Sequence, residues 1–306
     1  MSFYSIVIPV YKSEDVVTQT VQAIQEVLRK HSLNAEIVLV NDGSPDDSWK
    51  VIQKLAESNK NIIAIDLLKN YGQHTAVHCG IANANGDFII TMDDDLQNPP
   101  EEILKLISKI DEGYDLVFAR FRQKMHGRFR SLGSKFVGYL NTKIFGKPKD
   151  LTLTNFRIFT KETAQLMLNY QTNYPYIPGL LLMHASCIAN VDTEHHKRES
   201  GVSNYTLGRI LKLVARLLFN YSSFPLKVMS GAGVIVSLLS FIAGIFYVFR
   251  GFLNEESVPG WTTLVVLISF LCGFILAVLG VMGEYLARMM NQMAISQPYL
   301  IRKKVG

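Results

Sequence analysis

The sequence predicts an α/β domain on a mostly parallel sheet, followed by an amphipathic helix and two membrane-crossing helices. Three observations lead there. Apolar strand runs alternate with helical patterns over residues 5–119, the order that builds a parallel sheet covered by helices on both faces. Residues 228–249 and 261–283 contain no Asp, Glu, Lys or Arg, and each stretch is long enough to cross a hydrocarbon core of about 30 Å as a helix. The charge divides at the same boundary: from Tyr205 onward nine Lys and Arg stand against three Asp and Glu, while the first 204 residues carry 22 against 23.

The elements follow in order. Residues 5–10 read as a buried strand, and residues 14–30 as a helix with Val17, Val21, Ile24 and Leu28 on one face. Residues 35–40 form the next strand, closed by the turn Asn41-Asp42-Gly43-Ser44-Pro45. Then come a helix over 46–58, a strand over 62–67, a helix over 75–84 and a strand over 88–92. Helix 100–112 and strand 116–119 continue the pattern, which becomes less regular through 150–159 and helix 161–170. In such sheets ligands bind beyond the carboxyl ends of the strands. Tyr11, Asp42, Asn70 and Asp93 to Asp95 are therefore expected on one edge.

Residues 205–225 place Leu207, Ile210, Leu211, Val214, Leu217 and Leu218 on one helical face, with Arg209, Lys212 and Arg216 opposite. That pattern suits a helix lying on an anionic membrane surface; packing of the apolar face against the α/β domain is the alternative. Basic residues flank the spans, with Lys227 before the first and Arg288, Arg302, Lys303 and Lys304 after the second. Such flanks stay on the cytoplasmic side. The expected arrangement is thus a multi-pass protein of the inner membrane with its large domain and both termini cytoplasmic. The expected divisions are 1–204 for the α/β domain, 205–225 for the amphipathic helix, 226–288 for the hairpin of spans and 289–306 for a basic tail. Apolar surface on paired membrane helices leaves a homo-oligomer open.

Other classes lose support. The basic excess belongs to the membrane end, so nucleic-acid binding is not expected. Cys79, Cys187 and Cys272 are too scattered for a disulfide framework or a zinc site. The apolar run at residues 6–10 is far too short for a cleavable leader, so targeting is expected from the two spans.

The chemistry gathers at Asp93-Asp94-Asp95-Leu96-Gln97-Asn98-Pro99-Pro100, directly after a strand. In extended chain residues i and i+2 share a side, so Asp93, Asp95 and Gln97 can converge. Hard oxygen ligands suit Mg2+ or Mn2+, and magnesium leaves most positions to water and substrate phosphates. The competing reading is a solvated acidic turn ahead of a helix. Downstream, residues 120–130 carry five Lys and Arg, one His and no acid, which fits either a solvated face or a phosphate-binding loop.

Ser5-Ile6-Val7-Ile8-Pro9-Val10-Tyr11, Val40-Asn41-Asp42-Gly43-Ser44, the acidic stretch and Gly283-Glu284-Tyr285 occur in that order. Together with the membrane tail they resemble the family 2 glycosyltransferases of the polyprenyl-phosphate type, over essentially the whole chain. This group includes dolichyl-phosphate mannose synthases and the bacterial undecaprenyl-phosphate glycosyltransferases with two C-terminal membrane helices. The resemblance implies a GT-A fold, a nucleotide-sugar donor, Mg2+ or Mn2+, and inverting transfer to a polyprenyl phosphate. Carried over by position, it implies donor binding by Pro9, Tyr11, Glu14, Asp42, Asp93 and Asp94, and metal binding by Asp93, Asp95 and Gln97. It also implies phosphate binding by Arg120, Arg128, Arg130 and Ser134, and by Arg198 and Ser203 in the late segment that includes Gly201 and Tyr205. The chain departs from the pattern with Tyr11-Lys12-Ser13 where relatives usually have Tyr-Asn-Glu, and with Asn41 where an aspartate is frequent. Thr154-Asn155 stand before Phe156-Arg157, where relatives often have an acid, and Asn204 stands where a lysine is frequent.

Sugar transfer builds negative charge on the departing phosphate, which a cation helped by Arg128 or Arg130 stabilises. A lipid phosphate with its second pKa at about 6 is largely a dianion and can attack without a general base. Asp150 is the nearest carboxylate for that role if a base is used, with structural pairing to Arg157 or Lys149 as the alternative. UDP is the expected nucleotide; the sugar is not legible. Two other functions fit the same residues: transfer to a lipid hydroxyl, and a non-catalytic membrane scaffold that binds nucleotide sugar.

Overall fold

The computed structural model describes residues 2–121, 128–194, 207–253, 260–294 and 298–306. The chain forms two compact units, residues 1–205 together with 295–306, and residues 206–294.

In the first unit β1 (Phe3–Val10), β2 (Asn34–Asn41), β3 (Ile62–Leu67) and β4 (Phe88–Thr91) alternate with α1 (Val17–Lys30), α2 (Ser48–Ser58) and α3 (Gln73–Ala82). All four strands are parallel to their neighbours within this set, with Phe3 opposite Asn34 and Tyr4 opposite Phe88. β1 is buried from its second residue to its last. Strands buried on both faces read as continuous apolar runs, which is why residues 5–10 and 35–40 are so legible in the sequence. α1 buries Val17, Val21 and Ile24, the stripe its periodicity predicts. α3 is buried nearly all round, and a Cβ at Gly80 would collide with Val7 of β1, so glycine sets the close approach of helix to sheet.

The sheet then grows on the β4 side. A 3-10 turn (Pro100–Glu102), α4 (Ile103–Ile110) and β5 (Leu116–Phe121) follow. After α5 (Arg128–Phe145) come β6 (Arg157–Thr160), α6 (Lys161–Leu168), α7 (Ile177–His184) and β7 (Ile188–Thr193). β6 lies antiparallel between β4 and β5, pairing Thr91 with Arg157, and β7 is parallel to β5. Periodicity missed α7 because Ile177–Leu182 is buried throughout and has no polar face.

Residues 289–306, expected as a separate tail, divide instead between a helix and a strand. β8 (Ile301–Val305) pairs antiparallel with β3 and closes that edge, completing the order β7-β5-β6-β4-β1-β2-β3-β8. Its sequence, Ile301-Arg302-Lys303-Lys304-Val305, is short and basic, and only the waiting edge of β3 makes it a strand.

The second unit comprises α8 (Leu207–Tyr221), α9 (Phe224–Leu253) and α10 (Trp261–Ala294). At 1.5 Å per residue the last two extend roughly 45 and 50 Å. They pack where glycine permits, since a Cβ at Gly233 would lie 3.3 Å from the Phe274 ring. Tyr285 of α10 donates to the Ser222 carbonyl at 2.8 Å. Among the described residues one helix has a window long and apolar enough to cross a membrane, Phe270–Ala287, with mean hydropathy 2.0, and Phe224–Val236 is a shorter apolar stretch.

Candidate active site

The strand ends place three turns side by side. Met92, just past β4, donates its amide to Val7 of β1 at 3.2 Å, so the acidic stretch starts level with the end of β1. Asp95 Oδ1 accepts the Gln97 amide at 3.2 Å, closing a turn around Leu96, whose φ is +56°. A β-unbranched but bulky residue in the left-handed region stores strain and fixes the direction of the loop. The Asp94 carbonyl accepts from Thr20 of α1 at 2.8 Å, which ties the stretch to the helix after β1.

The acids are not equivalent. Asp93 Oδ1 accepts from Gln73 Nε2 at 2.6 Å, and Oδ2 lies 3.5 Å from Asn155 Nδ2. Burial, then the neighbouring Asp95, pushes its pKa up to about 6, against Asn155, Arg157 and Gln73. Asp94 is likewise pushed up to about 6 by burial, and its Oδ2 is buried without a hydrogen-bond partner among the described residues. Arg157, fully buried on β6, donates through Nε to Thr91 Oγ1 at 3.0 Å and stands over the Phe118 ring at 5.9 Å. Burial lowers its pKa to about 10, so it stays cationic at neutral pH, and its Nη1 is buried without a partner among the described residues. A buried charge is costly, and the negative charge of Asp93 offsets part of that cost electrostatically.

Of the residues expected at the nucleotide, Pro9 is buried within β1, and Tyr11 is 45% exposed beside the turn formed by Lys12 at φ +56°. Lys12 and Ser13 donate their amides to Ser44 and Ser48, linking the turn after β1 to the turn after β2. The Glu14 carboxylate accepts the Asp47 amide at 2.7 Å. Asp42 is buried, and its two oxygens accept the amides of Tyr71 and Gly72 at 2.7 and 2.9 Å; burial raises its pKa. Gly43, at φ +60°, presses on the backbone of Lys69 and Asn70 so closely that a Cβ would clash. The turns after β1, β2 and β3 are thereby one bonded assembly.

The remaining expected residues are spread more widely. Arg120 Nε pairs with Asp192 on the adjacent β7 at 2.6 Å. Asp150 is exposed in the turn after α5. Arg128, Arg130 and Ser134 belong to the first turns of α5, their side chains outside the described set, and Arg198 and Ser203 lie outside the described residues. Motif reading passed over Gln73 altogether and noted Asn155 and Arg157 only as neighbours of a missing acid, not as partners of Asp93 and Thr91. A further signal for Arg157 is a cation inside an apolar strand run, Phe156-Arg157-Ile158-Phe159.

Among the described residues no group of three or more His, Cys, Asp or Glu is arranged to hold a metal by itself. Asp93 and Asp95, two residues apart, are the hard oxygen donors a divalent cation would use there, and the adjacent Asp94 keeps a buried oxygen without a partner among the described residues. Mg2+ in substrate-phosphate sites takes one or two carboxylates and completes its shell with water and phosphate.

The chain matches the model of glycosyl transferase family 2 over residues 5–175. It is 32% identical over 305 residues to undecaprenyl-phosphate 4-deoxy-4-formamido-L-arabinose transferase of Proteus mirabilis, covering 99% of this chain and 94% of that protein. It is 30% identical to an uncharacterized glycosyltransferase of Bacillus subtilis, again over 99% and 94%. Among solved structures, glucosyl-3-phosphoglycerate synthase from Mycobacterium tuberculosis, in complex with Mn2+, UDP and phosphoglyceric acid, superposes with a TM-score of 0.53 at 18% identity, covering 71% of this chain and 78% of that one. Mannosyl-3-phosphoglycerate synthase from Rubrobacter xylanophilus gives 0.52 at 18%, over 71% and 74%. The fold they share is the GT-A arrangement.

Proposed function

The chain belongs to glycosyltransferase family 2, and on that footing we propose that it transfers a sugar from a nucleotide-sugar donor, UDP-linked, to a polyprenyl phosphate at the cytoplasmic face of the inner membrane. The observation that carries this reading is the identity with an undecaprenyl-phosphate sugar transferase across 99% of the chain, membrane end included. In this reading Asp93, Asp95 and Gln97 hold Mg2+ or Mn2+, which when bound neutralises the donor diphosphate as it departs.

The chain's own residues do the rest. Gln73 and Asn155 orient the Asp93 carboxylate, and Arg157 behind it supplies a fixed positive charge that keeps it ionised. Tyr11 offers an exposed ring beside the turn after β1, Glu14 holds the Asp47 amide at the end of the turn after β2, Asp42 holds the β3–α3 loop and Pro9 lies next to them in β1; together these form the seat for the nucleotide base. Arg120, Arg128, Arg130, Ser134, Arg198 and Ser203 bind phosphate oxygens. The acceptor phosphate, largely dianionic at neutral pH, attacks the anomeric carbon opposite the departing diphosphate, and configuration inverts. No proton has to be removed first.

The topology supports the membrane arrangement. β8 and β1 are strands of one sheet, so the chain between them ends on the side where it began. That is compatible with an even number of crossings; this reading gives one to α10, which holds the window Phe270–Ala287, and one to α9, whose apolar stretch Phe224–Val236 is shorter. Basic residues at both ends of the pair favour the cytoplasmic side for the sheet.

The test is incubation of the full-length protein with UDP-, GDP- and dTDP-sugars, Mg2+ or Mn2+, and short polyprenyl phosphates. Label moving into a lipid phosphate is the expected result. Label entering only a lipid alcohol would move the acceptor to a hydroxyl, and no transfer from any donor would overturn the reading.

A further inference from the structure

The nucleotide seat is braced from the far end of the sequence. Arg302 on β8 reaches over the end of β3, where Nη2 donates to the Leu68 carbonyl at 2.6 Å and Nη1 lies 3.4 Å from Asp66 Oδ2. Asp66 is buried, and its other oxygen accepts from Asn41 Nδ2 at 2.7 Å. Asn41 in turn accepts the Ser44 amide at 3.3 Å, closing the turn that carries Asp42. The Leu68 amide donates to the Leu300 carbonyl at 2.9 Å, so the strand after the membrane unit grips both polar groups of one loop residue. Arg302, Asp66 and Asn41 line a cavity of about 250 Å3 with Gly43, Ser44 and Lys69.

The residue types are fitted to each other. Asn41 can donate to a buried carboxylate with one atom and accept an amide with the other. Aspartate at 41 would set two buried carboxylates against each other at hydrogen-bond distance, which forces one to hold a proton. The asparagine at this position is therefore matched to Asp66. Arg302 is 58% exposed and its contact with Asp66 is long, so it adds little to global stability. Its geometric role is larger, because it joins the β3–α3 loop, whose Tyr71 and Gly72 amides hold Asp42 and which leads into Gln73, the first residue of α3 and the partner of Asp93.

We propose that Arg302, acting through Asp66 and Asn41, is a positioning residue for the nucleotide half of the donor site, so that the strand following the membrane unit sets donor affinity. The proposal rests on the donor-site reading above. It is tested on the full-length protein by measuring kcat and the KM of donor and acceptor separately. Arg302→Ala raises donor KM about five- to tenfold, with kcat, acceptor KM and melting temperature nearly unchanged; Arg302→Lys recovers part of the loss. Asn41→Asp raises donor KM further, and the exchange Asn41→Asp/Asp66→Asn, which keeps one amide facing one carboxylate, returns it toward the wild-type value. An active wild type whose donor KM is unmoved by Arg302→Ala, or an exchange variant as impaired as Asn41→Asp, overturns the proposal while leaving the transferase reading intact. A wild type that transfers from no donor overturns both.

Discussion

Gln73 donates its side-chain amide to Asp93 at 2.6 Å, joining the first residue of α3 to the acidic stretch beyond β4. A neutral donor orients a carboxylate without competing as a cation would. Gln73→Ala is expected to shift the Mn2+ dependence of transfer several-fold toward higher concentration while leaving turnover at saturating Mn2+ within about threefold. A metal titration of initial rates reads this directly.

On the proposed reading Asp95 holds the metal directly, whereas Asp93 keeps its bonds to Gln73 and Asn155 when Asp95 is lost. Asp95→Ala should abolish transfer while excess Mn2+ restores nucleotide binding, as followed by calorimetry. Undiminished transfer would remove Asp95 from the metal site.

Arg157 is a buried cation whose removal leaves Asp93 uncompensated. Its loss strips Thr91 Oγ1 of a buried donor and leaves Asp93 without a favourable nearby charge, a cost of about 1–3 kcal/mol. Arg157→Met is expected to lower the melting temperature and to reduce transfer at least tenfold. A second change, Asp93→Asn, added to it should recover stability but no activity.

Asp150 gives the opposite expectation. A dianionic acceptor needs no base, so Asp150→Asn is expected to keep turnover within about twofold with a lipid-phosphate acceptor. A loss of a hundredfold or more in kcat would make it the base.

His78 supplies a pH test remote from the chemistry. Burial lowers its pKa to about 4, whereas the unfolded side chain titrates near 6.5. Between those values the unfolded chain binds the extra proton, so stability falls as pH drops through 6.5 toward 4. The loss attributable to His78 is about 2 kcal/mol by pH 5. Wild type should therefore lose more stability than His78→Phe between pH 7 and 5 in denaturant melts. His78 packs edge-on against Tyr299 at 6.0 Å, so protection of residues 299–305 in hydrogen exchange should weaken over the same range.

The β1–α1–β2–α2–β3–α3–β4 run is legible in the sequence because both strand faces are covered, so each strand is one uninterrupted apolar word between amphipathic helices. The acidic stretch is legible for a related reason: three charges at a strand end have no packing role to explain them. Gln73, Asn155 and Arg157 were not legible, because each gains its meaning from a partner supplied by register, Thr91 opposite Arg157, or by a loop from another strand end. β8 was the least legible, since Arg302-Lys303-Lys304 reads as a membrane flank and only the exposed edge of β3 turns it into sheet.

That edge has a consequence for biosynthesis. β3 is buried along its whole length, yet the strand that covers one side of it is made only after residues 206–294 have left the ribosome. Until then the nascent domain presents an open strand edge, apolar except for Asp66, the kind that recruits other chains. Docking of residues 301–305 thus seals the domain only once the helical unit is complete, and a chain halted before Ile301 would reach the cell folded around an adhesive seam.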